Sequence, residues 1–477
     1  MKTQCTPEQM EFQGLGRRKV AAAFDGGHVS SDGGALLLRE VDLRLDICRR
    51  FAQCFTDHRD ARFVEHSVTS LVRQRAMGLC LGYEDLNDHD ILSLDPLIAA
   101  ACGKPDPEGA HRVNKPARDK GQALAGPSTL DRLELTPEAV DWRDPKRRYY
   151  KLVHHPEQIE AFFLDVFLES FDQAPQEIVL DFDPTDILLH GEQEGRFFHG
   201  YYGDYCYLPM YVFCGDKFVA ARLRTSNRDA SDGALELFMQ IVAAIRAKFP
   251  EARIVIRGDS GFARDLLMTY CEQGENLYYI FGLAKNARLA RAARTQQWQA
   301  QQEYIRTGRA ARVYTEFRYR TRTSWRRARR VIAKAEHLDK GPNPRFVVTN
   351  LRGREIQSQA LYEGRYCPRG DMENRIKEQQ LDLFADRTSS HFMRTNQLRL
   401  WFSALAYVLM NALRRHGLKK TRLAKAASGT VRTLLLKIGA RVGVSCRRLV
   451  AHLSSAAPYQ DVYLHAWRNL AAFPMRC

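Results

Sequence analysis

The sequence predicts an α/β protein: a mixed five-stranded sheet of order 3-2-1-4-5 flanked by helices, with a β-rich insertion and helical N- and C-terminal regions. Three observations lead there. Between residues 176 and 285, short β-rich runs come three in succession and then alternate with amphipathic helices, β-β-β-α-β-α-β, which is the pattern of a mixed sheet covered by helices. Residues 286–352 interrupt that pattern with alternating apolar and basic side chains. On either side, apolar residues return mainly at helical spacing.

Residues 1–135 read as a helical N-terminal region after a glycine-rich entry in which Ser31 or Asp32 caps the first helix. "RFVEHSVTSLVRQRAMGLCLGYEDLNDHD" and "PSTLDRLE" are helical, and the polar, Pro/Gly-rich residues 103–126 form an exposed loop. Residues 136–285 hold the first part of the core. The strands are "QEIVLDFD", "CYLPMYVFC", "KFVAARLRT", "ARIVIRGD" and "NLYYIFGLA", with helices "DGALELFMQIVAAIRAKF" and "GFARDLLMTYCEQ" between the later ones. Residues 286–352 are the insertion, expected as antiparallel strands. Residues 353–415 return to the core with two helices, and 416–477 form a basic, helical C-terminal region.

The chain has 477 residues, enough for two to four domains. Lys and Arg number 72 against 56 Asp and Glu, a net charge of +16, an excess that usually serves a polyanion such as nucleic acid or an anionic membrane surface. The longest apolar stretch, "LWFSALAYVLMNAL", is too short and interrupted to span a bilayer and reads as a buried core helix. The start lacks the apolar run of a secretory signal. The 11 cysteines are scattered, with no C-x-x-C pair, which fits thiols in a reducing cytosol. The paired glycines near residue 30 are not followed by G-K-[ST], so no nucleotide cofactor is expected.

Acidic residues then stand out against this framework. Asp181 and Asp183 lie two apart near the end of the first strand and share a face. Asp259 follows the fourth strand directly. Glu373 lies in "YCPRGDMENRIKEQQ", read as a helix opening at Cys367-Pro368, with Arg369, Glu373, Lys377 and Gln380 on one stripe. Singly, each reads blandly: a strand-end Asp as a turn cap, and Glu373 with Lys377 as a surface pair worth about 0.3–0.5 kcal/mol. Together, on neighbouring first and fourth strands with a helix above, they gather three carboxylates. Such a group calls for arginine or lysine as a structural counter-charge, or for magnesium, which prefers oxygen ligands.

In these stretches the chain resembles the DDE transposases of bacterial insertion sequences, whose catalytic core is ribonuclease H-like. "LDFDPTD" resembles the first-Asp motif and favours Asp183, with Thr185, over Asp181; "IRGDSGF" resembles the second and gives Asp259. "YCPRGDMENRIKEQQ" resembles the Tyr-x2-Arg-x3-Glu signature, giving Tyr366, Arg369 and Glu373. The spacing from Asp259 to Glu373 suits the subgroup with a β-strand insertion. The resemblance covers about residues 120 to 415 well, and includes "LHGEQEGRFFHGYYGDYCYLP" and "LAGPSTLDRLE". It implies two Mg²⁺ (or Mn²⁺) ions held by Asp183, Asp259 and Glu373. The implied reaction is hydrolysis of a phosphodiester at each element end, then direct transesterification of the freed 3′-hydroxyl into target DNA. The implied partners are double-stranded DNA, as terminal inverted repeats and as target, and a second protomer, since synapsis of two ends needs a homodimer. The implied place is bacterial cytoplasm, on chromosomal or plasmid DNA. The signature's Lys, seven residues after the Glu, is here Gln380, and Lys377 lies one turn nearer on the same stripe.

Between Arg306 and Lys334 lie eleven Lys or Arg and one acidic residue, Glu316, with Tyr314, Phe317, Tyr319 and Trp325 interleaved. Basic residues track phosphates and rings stack on unpaired bases. Trp325, flanked by Arg322, Arg326 and Arg327, is the residue expected to engage a distorted or flipped base, and the alternative is packing within the insertion. Tyr366, Arg369 and Lys377 are the DNA contacts expected beside Glu373. Two rivals remain: a ribonuclease H-like nuclease that cuts without joining, and a non-catalytic DNA-binding protein.

Overall fold

The computed structural model describes residues 9–110, 121–141, 143–144 and 148–476. The first eight residues, the middle of the expected loop 103–126 and part of the connection after residue 141 lie outside the described residues. The chain divides into two compact units, one of Met1–His155, Asp382–Phe384 and Leu405–Cys477, the other of Pro156–Leu381 and Ala385–Ala404.

The second unit is built on one large mixed sheet. Its strands are β1 (Glu177–Pro184), β2 (Met210–Cys214), β3 (Lys217–Arg222), β4 (Arg253–Gly258), β5 (Leu277–Leu283), β6 (Ala311–Tyr319), β7 (Arg329–Leu338), the short β8 (Gly341–Pro342) and β9 (Arg345–Thr349). They lie in the order β3-β2-β1-β4-β5-β9-β7-β6, with β8 on β7. β1, β4 and β5 are mutually parallel, and every other pairing is antiparallel. The first five strands therefore neighbour one another as 3-2-1-4-5.

The sheet does not end at five strands. The insertion is an extension of this sheet: β9 pairs with β5 through Phe281↔Val348 and Gly282↔Val347, and β7 and β6 follow. Left alone, β5 would present an apolar edge of unpaired backbone groups, and β9 satisfies it. Two helices, Ala287–Ala292 and α3 (Arg294–Thr307), open the insertion where strands alone were expected. α3 buries only Ala300, so its sequence carries no apolar stripe to reveal it.

Strand alternation splits the sheet between two covers. Ile178, Leu180 and Phe182 of β1 are fully buried beneath α1 (Ala234–Lys248) and α2 (Asp265–Gln273), which contribute Phe238, Ile241, Ile245, Leu267 and Met268. The α1 stripe Leu237, Phe238, Ile241, Val242, Ile245 has the spacing that keeps one helix face on a sheet. On the other face, Val179 and Val255 pack with Leu361, Tyr362 and Tyr366 of a helical run. Asp181 and Asp183 share the face of Val179.

That helical run corrects the reading of Cys367-Pro368 as a helix start. Helical backbone begins before it: Ala360–Tyr366 is wound as a π-turn, Cys367–Arg369 as a 3₁₀ turn, α4 spans Gly370–Lys377 and Glu378–Asp382 is a second π-turn. Proline lacks an N–H and clashes with the carbonyl four residues back. Changing the winding on both sides lets the run continue through Pro368.

The first unit is largely helical, including Ala35–Leu45, Val68–Leu81 and Pro127–Glu134. A hairpin of Met10–Leu15 with Arg18–Ala22 precedes them. Gly34, not Ser31 or Asp32, occupies the cap position of the first helix; the Asp32 carboxylate instead meets Tyr83 at 2.7 Å and Lys437 at 2.7 Å. The C-terminal region is not helical throughout. Ala440–Ser445 and Arg448–Leu453 form a hairpin joined to His28–Ser30, and alternation of buried Ala440 and Val442 with exposed neighbours is the period-two signal behind it. Helix Met393–Ala412 carries the long apolar stretch, nearly all buried, and no described helix is long and apolar enough to cross a membrane.

Candidate active site

The two β1 aspartates have different partners. Asp181 sits directly opposite Arg257 on β4, and the guanidinium grips it with two bonds, Nε to Oδ1 at 2.6 Å and Nη2 to Oδ2 at 2.7 Å. Both residues are buried, and Arg257 also donates to the Arg365 carbonyl at 2.6 Å. Asp181 is thus committed to a structural pair. Asp183, two residues on and opposite Tyr211, receives Arg369 Nη1 at 3.1 Å.

Arg369 is the hub of the acidic group. Its Nη2 lies 3.6 Å from Glu373 Oε1 one turn along the run, so Glu373 pairs with Arg369 and not with Lys377. The electrostatic partners of Arg369 are Asp183, Tyr366, Asp259 and Glu373, which hold its pKa up against burial. Burial pushes the Asp183 carboxyl up to about 7; Arg369 opposes this, while the charges of Asp259 and Glu373 add to it. Asp259 also accepts from Gly261 N–H at 2.8 Å, capping the short turn Ser260–Phe262 that carries it past β4. Glu373 is half exposed.

Tyr366 lies between this group and the sheet. Burial raises its hydroxyl pKa, and Arg369 lowers it through charge and a hydrogen bond. A glycine on β5 makes room for it: a Cβ on Gly282 would meet the Tyr366 hydroxyl at 2.6 Å and Ser260 N at 3.1 Å, next to Asp259. Gly282→Ala is therefore expected to cost about 1–3 kcal/mol by overpacking. Urea unfolding measures it, and an unchanged midpoint would refute the crowding.

Gln380 donates to the Asp186 carbonyl at 3.1 Å and so ties the Glu373 helix to the segment leaving β1. It acts as an anchor where the signature has a lysine. Lys377 is exposed.

Three carboxylates around one partly buried arginine offer the oxygen donors that hard divalent cations prefer. Among the described residues, no three His, Cys, Asp or Glu side chains are placed to share one ion. The Arg369 guanidinium, in contact with both Asp183 and Glu373, fills that role in this arrangement.

The insertion differs from expectation at its centre. Trp325 is 5 % exposed, its indole N–H donates to the Ala263 carbonyl at 3.3 Å, and its ring meets Tyr319 edge-on at 5.8 Å. It packs in the core, so it is not presented to a base. Arg329, also buried, bridges Asp265 and Glu272 of α2 beneath it. Arg326 and Arg327 pair with the same two carboxylates but keep exposed side chains, and Arg322 is exposed. Sequence reasoning missed Arg257, whose place in "IRGD" on the strand beside "LDFD" was the available signal.

The transposase DDE domain group 1 family model matches residues 12–475. No curated protein matches the chain. Among solved structures, a piggyBac transposase synaptic complex with hairpin DNA is similar at 10% identity, covering 84% of this chain and 80% of that one, with a TM-score of 0.41. A family match over almost the whole length places the chain: it belongs to the transposase DDE domain group 1 family.

Proposed function

We propose that this transposase cuts the ends of an insertion sequence and joins them to target DNA, with Asp183, Asp259 and Glu373 as its reactive carboxylates on a ribonuclease H-like core. The observation that carries the reading is Arg369: one partly buried guanidinium that meets Asp183 at 3.1 Å and Glu373 at 3.6 Å and has Asp259 as a further electrostatic partner. When bound, Mg²⁺ or Mn²⁺ on these carboxylates would polarise the phosphodiester and activate the attacking oxygen. Arg369 draws the Asp183 pKa down against burial, offsetting part of the rise, and offers a planar fork that matches a phosphate. Tyr366 orients that fork. Lys377, exposed on the same side of the run, and Arg322, Arg326 and Arg327 on the insertion loop supply phosphate contacts, in keeping with the +16 charge. Two protomers on paired DNA ends complete the assembly.

The test is cleavage and joining of DNA carrying the element ends, with Mg²⁺, by wild type, Asp259→Ala and Glu373→Ala. Wild type is expected to cut and join, and both variants to do neither. Equal cleavage by all three would remove the site assignment. Cutting without joining under every condition would favour a nuclease.

A further inference from the structure

Between Asp183 and β2 the chain forms a small sheet of its own, Ile187–Leu188, Phe197–His199 and Asp204–Tyr207, with the last strand in the middle. It begins where Gln380 anchors Asp186, so it is fixed to both the Asp183 strand and the Glu373 helix. Its outer side carries rings that are not buried: Phe198 is 57% exposed, Tyr205 40% and Tyr201 87%. Phe198 and Tyr205 are directly opposed in register, with centroids 5.6 Å apart and planes at 74°. The Arg196 guanidinium lies 3.9 Å above the Tyr205 ring. Tyr201, in the turn, meets Tyr202 edge-on at 5.0 Å. Burial and the carboxylates of Asp186 and Asp183 push the Tyr202 hydroxyl up to about 12, so the series of rings reaches back to the acidic group.

Exposed aromatic rings at this density cost apolar surface left in water and mark a site of interaction. Their chemistry is that of base stacking, with arginine adding a cation–π term. Backbone phosphates are a poor match, because exposed Glu192 lies 3.4 Å from Arg196 and exposed Asp204 precedes Tyr205. Trp325, the ring the sequence pointed to, is buried elsewhere.

We infer that Phe198, Tyr201 and Tyr205, with Arg196, form a stacking platform for unpaired bases of the DNA strand whose end lies at Asp183. The inference rests on the proposed active site for its location, and its test is independent of cleavage. Full-length wild type, Phe198→Ala, Tyr201→Ala and Phe198→Trp are titrated, without metal, against a blunt duplex and the same duplex bearing a short thymidine overhang. Fluorescence anisotropy reads the affinities.

Each alanine variant is expected to lose about fivefold or more on the overhang probe, with blunt-duplex affinity unchanged, and Phe198→Trp to retain wild-type binding. Equal losses on both probes, or none, would overturn the platform. So would unchanged DNA affinity with a lowered oligomeric state in sedimentation, which would assign the rings to a contact between copies. If carboxylate variants cleave normally while ring variants lose overhang binding, the platform stands and the active site falls. If cleavage needs the carboxylates but the ring variants bind as wild type, only the platform falls.

Discussion

Asp183→Asn is expected to stabilise the metal-free protein while reducing DNA cleavage to background. The folded Asp183 carboxyl titrates at about 7 against an ordinary 3.8, chiefly from burial, with Asp259 and Glu373 adding to the rise and Arg369 only partly offsetting it. In the pH window between those values, the folded protein holds a proton that the unfolded chain has lost. Stability therefore falls as pH rises through the window, and above pH 7 the full cost of an ionised Asp183 is present. At 1.36 kcal/mol per pH unit that cost is about 4 kcal/mol, and the neutral amide avoids it. The expected gain at pH 8 in chelator is ~2–4 kcal/mol, shrinking towards zero near pH 4. Adding Mg²⁺ is expected to raise the wild-type midpoint and leave the variant's in place, since only the wild type keeps its full ligand set. Urea unfolding at the two pH values checks the first expectation, and a loss of stability at pH 8 would contradict the assignment of Asp183 as the strained carboxylate.

How much of this was legible in sequence follows from where each signal is local. The five strands and their helices carry period-two and helical patterns, so their existence could be read, whereas their neighbour order is a matter of long-range pairing. That β9, β7 and β6 continue the sheet depends on long-range pairing across β5, which no local pattern encodes. Pro368 suggested a helix start because proline usually marks one, and the run passes through it only by π and 3₁₀ winding. Asp183, Asp259, Arg369 and Glu373 were each visible as motif residues. Trp325 was misread for a physical reason: an aromatic among arginines looks the same whether it faces a base or packs over Ala263, and burial is set by residues far away in sequence. Strand pattern alone left Asp181 level with Asp183, and only the motif favoured Asp183, because Arg257, the partner of Asp181, lies 76 residues away.

That partner carries the other large effect. Arg257→Ala is expected to destabilise the protein by about 3–5 kcal/mol, because it leaves Asp181, 3% exposed, as a buried charge without its counter-ion. Burial already raises the Asp181 pKa, and Arg257 is the main group holding it down. Without Arg257 the carboxyl titrates higher still, so the damage should be greatest at alkaline pH and should lessen on acidification, as Asp181 takes up a proton. The same substitution frees the Arg365 carbonyl, one residue before Tyr366, and so loosens the run that presents Arg369 and Glu373. Adding Asp181→Ala should recover much of the loss, because the charge is then gone along with its partner. A double-mutant cycle on unfolding free energies reads this coupling directly. A loss from Arg257→Ala below about 1 kcal/mol, or simple additivity with Asp181→Ala, would mean that the pair is not what holds β1 to β4 at this edge. The contrast between the two aspartates is the sharper outcome: removing the charge partner of Asp181 should weaken the fold, whereas removing the charge of Asp183 should strengthen it. Two side chains on one face of one strand, separated by two residues, would then divide structure from function between them.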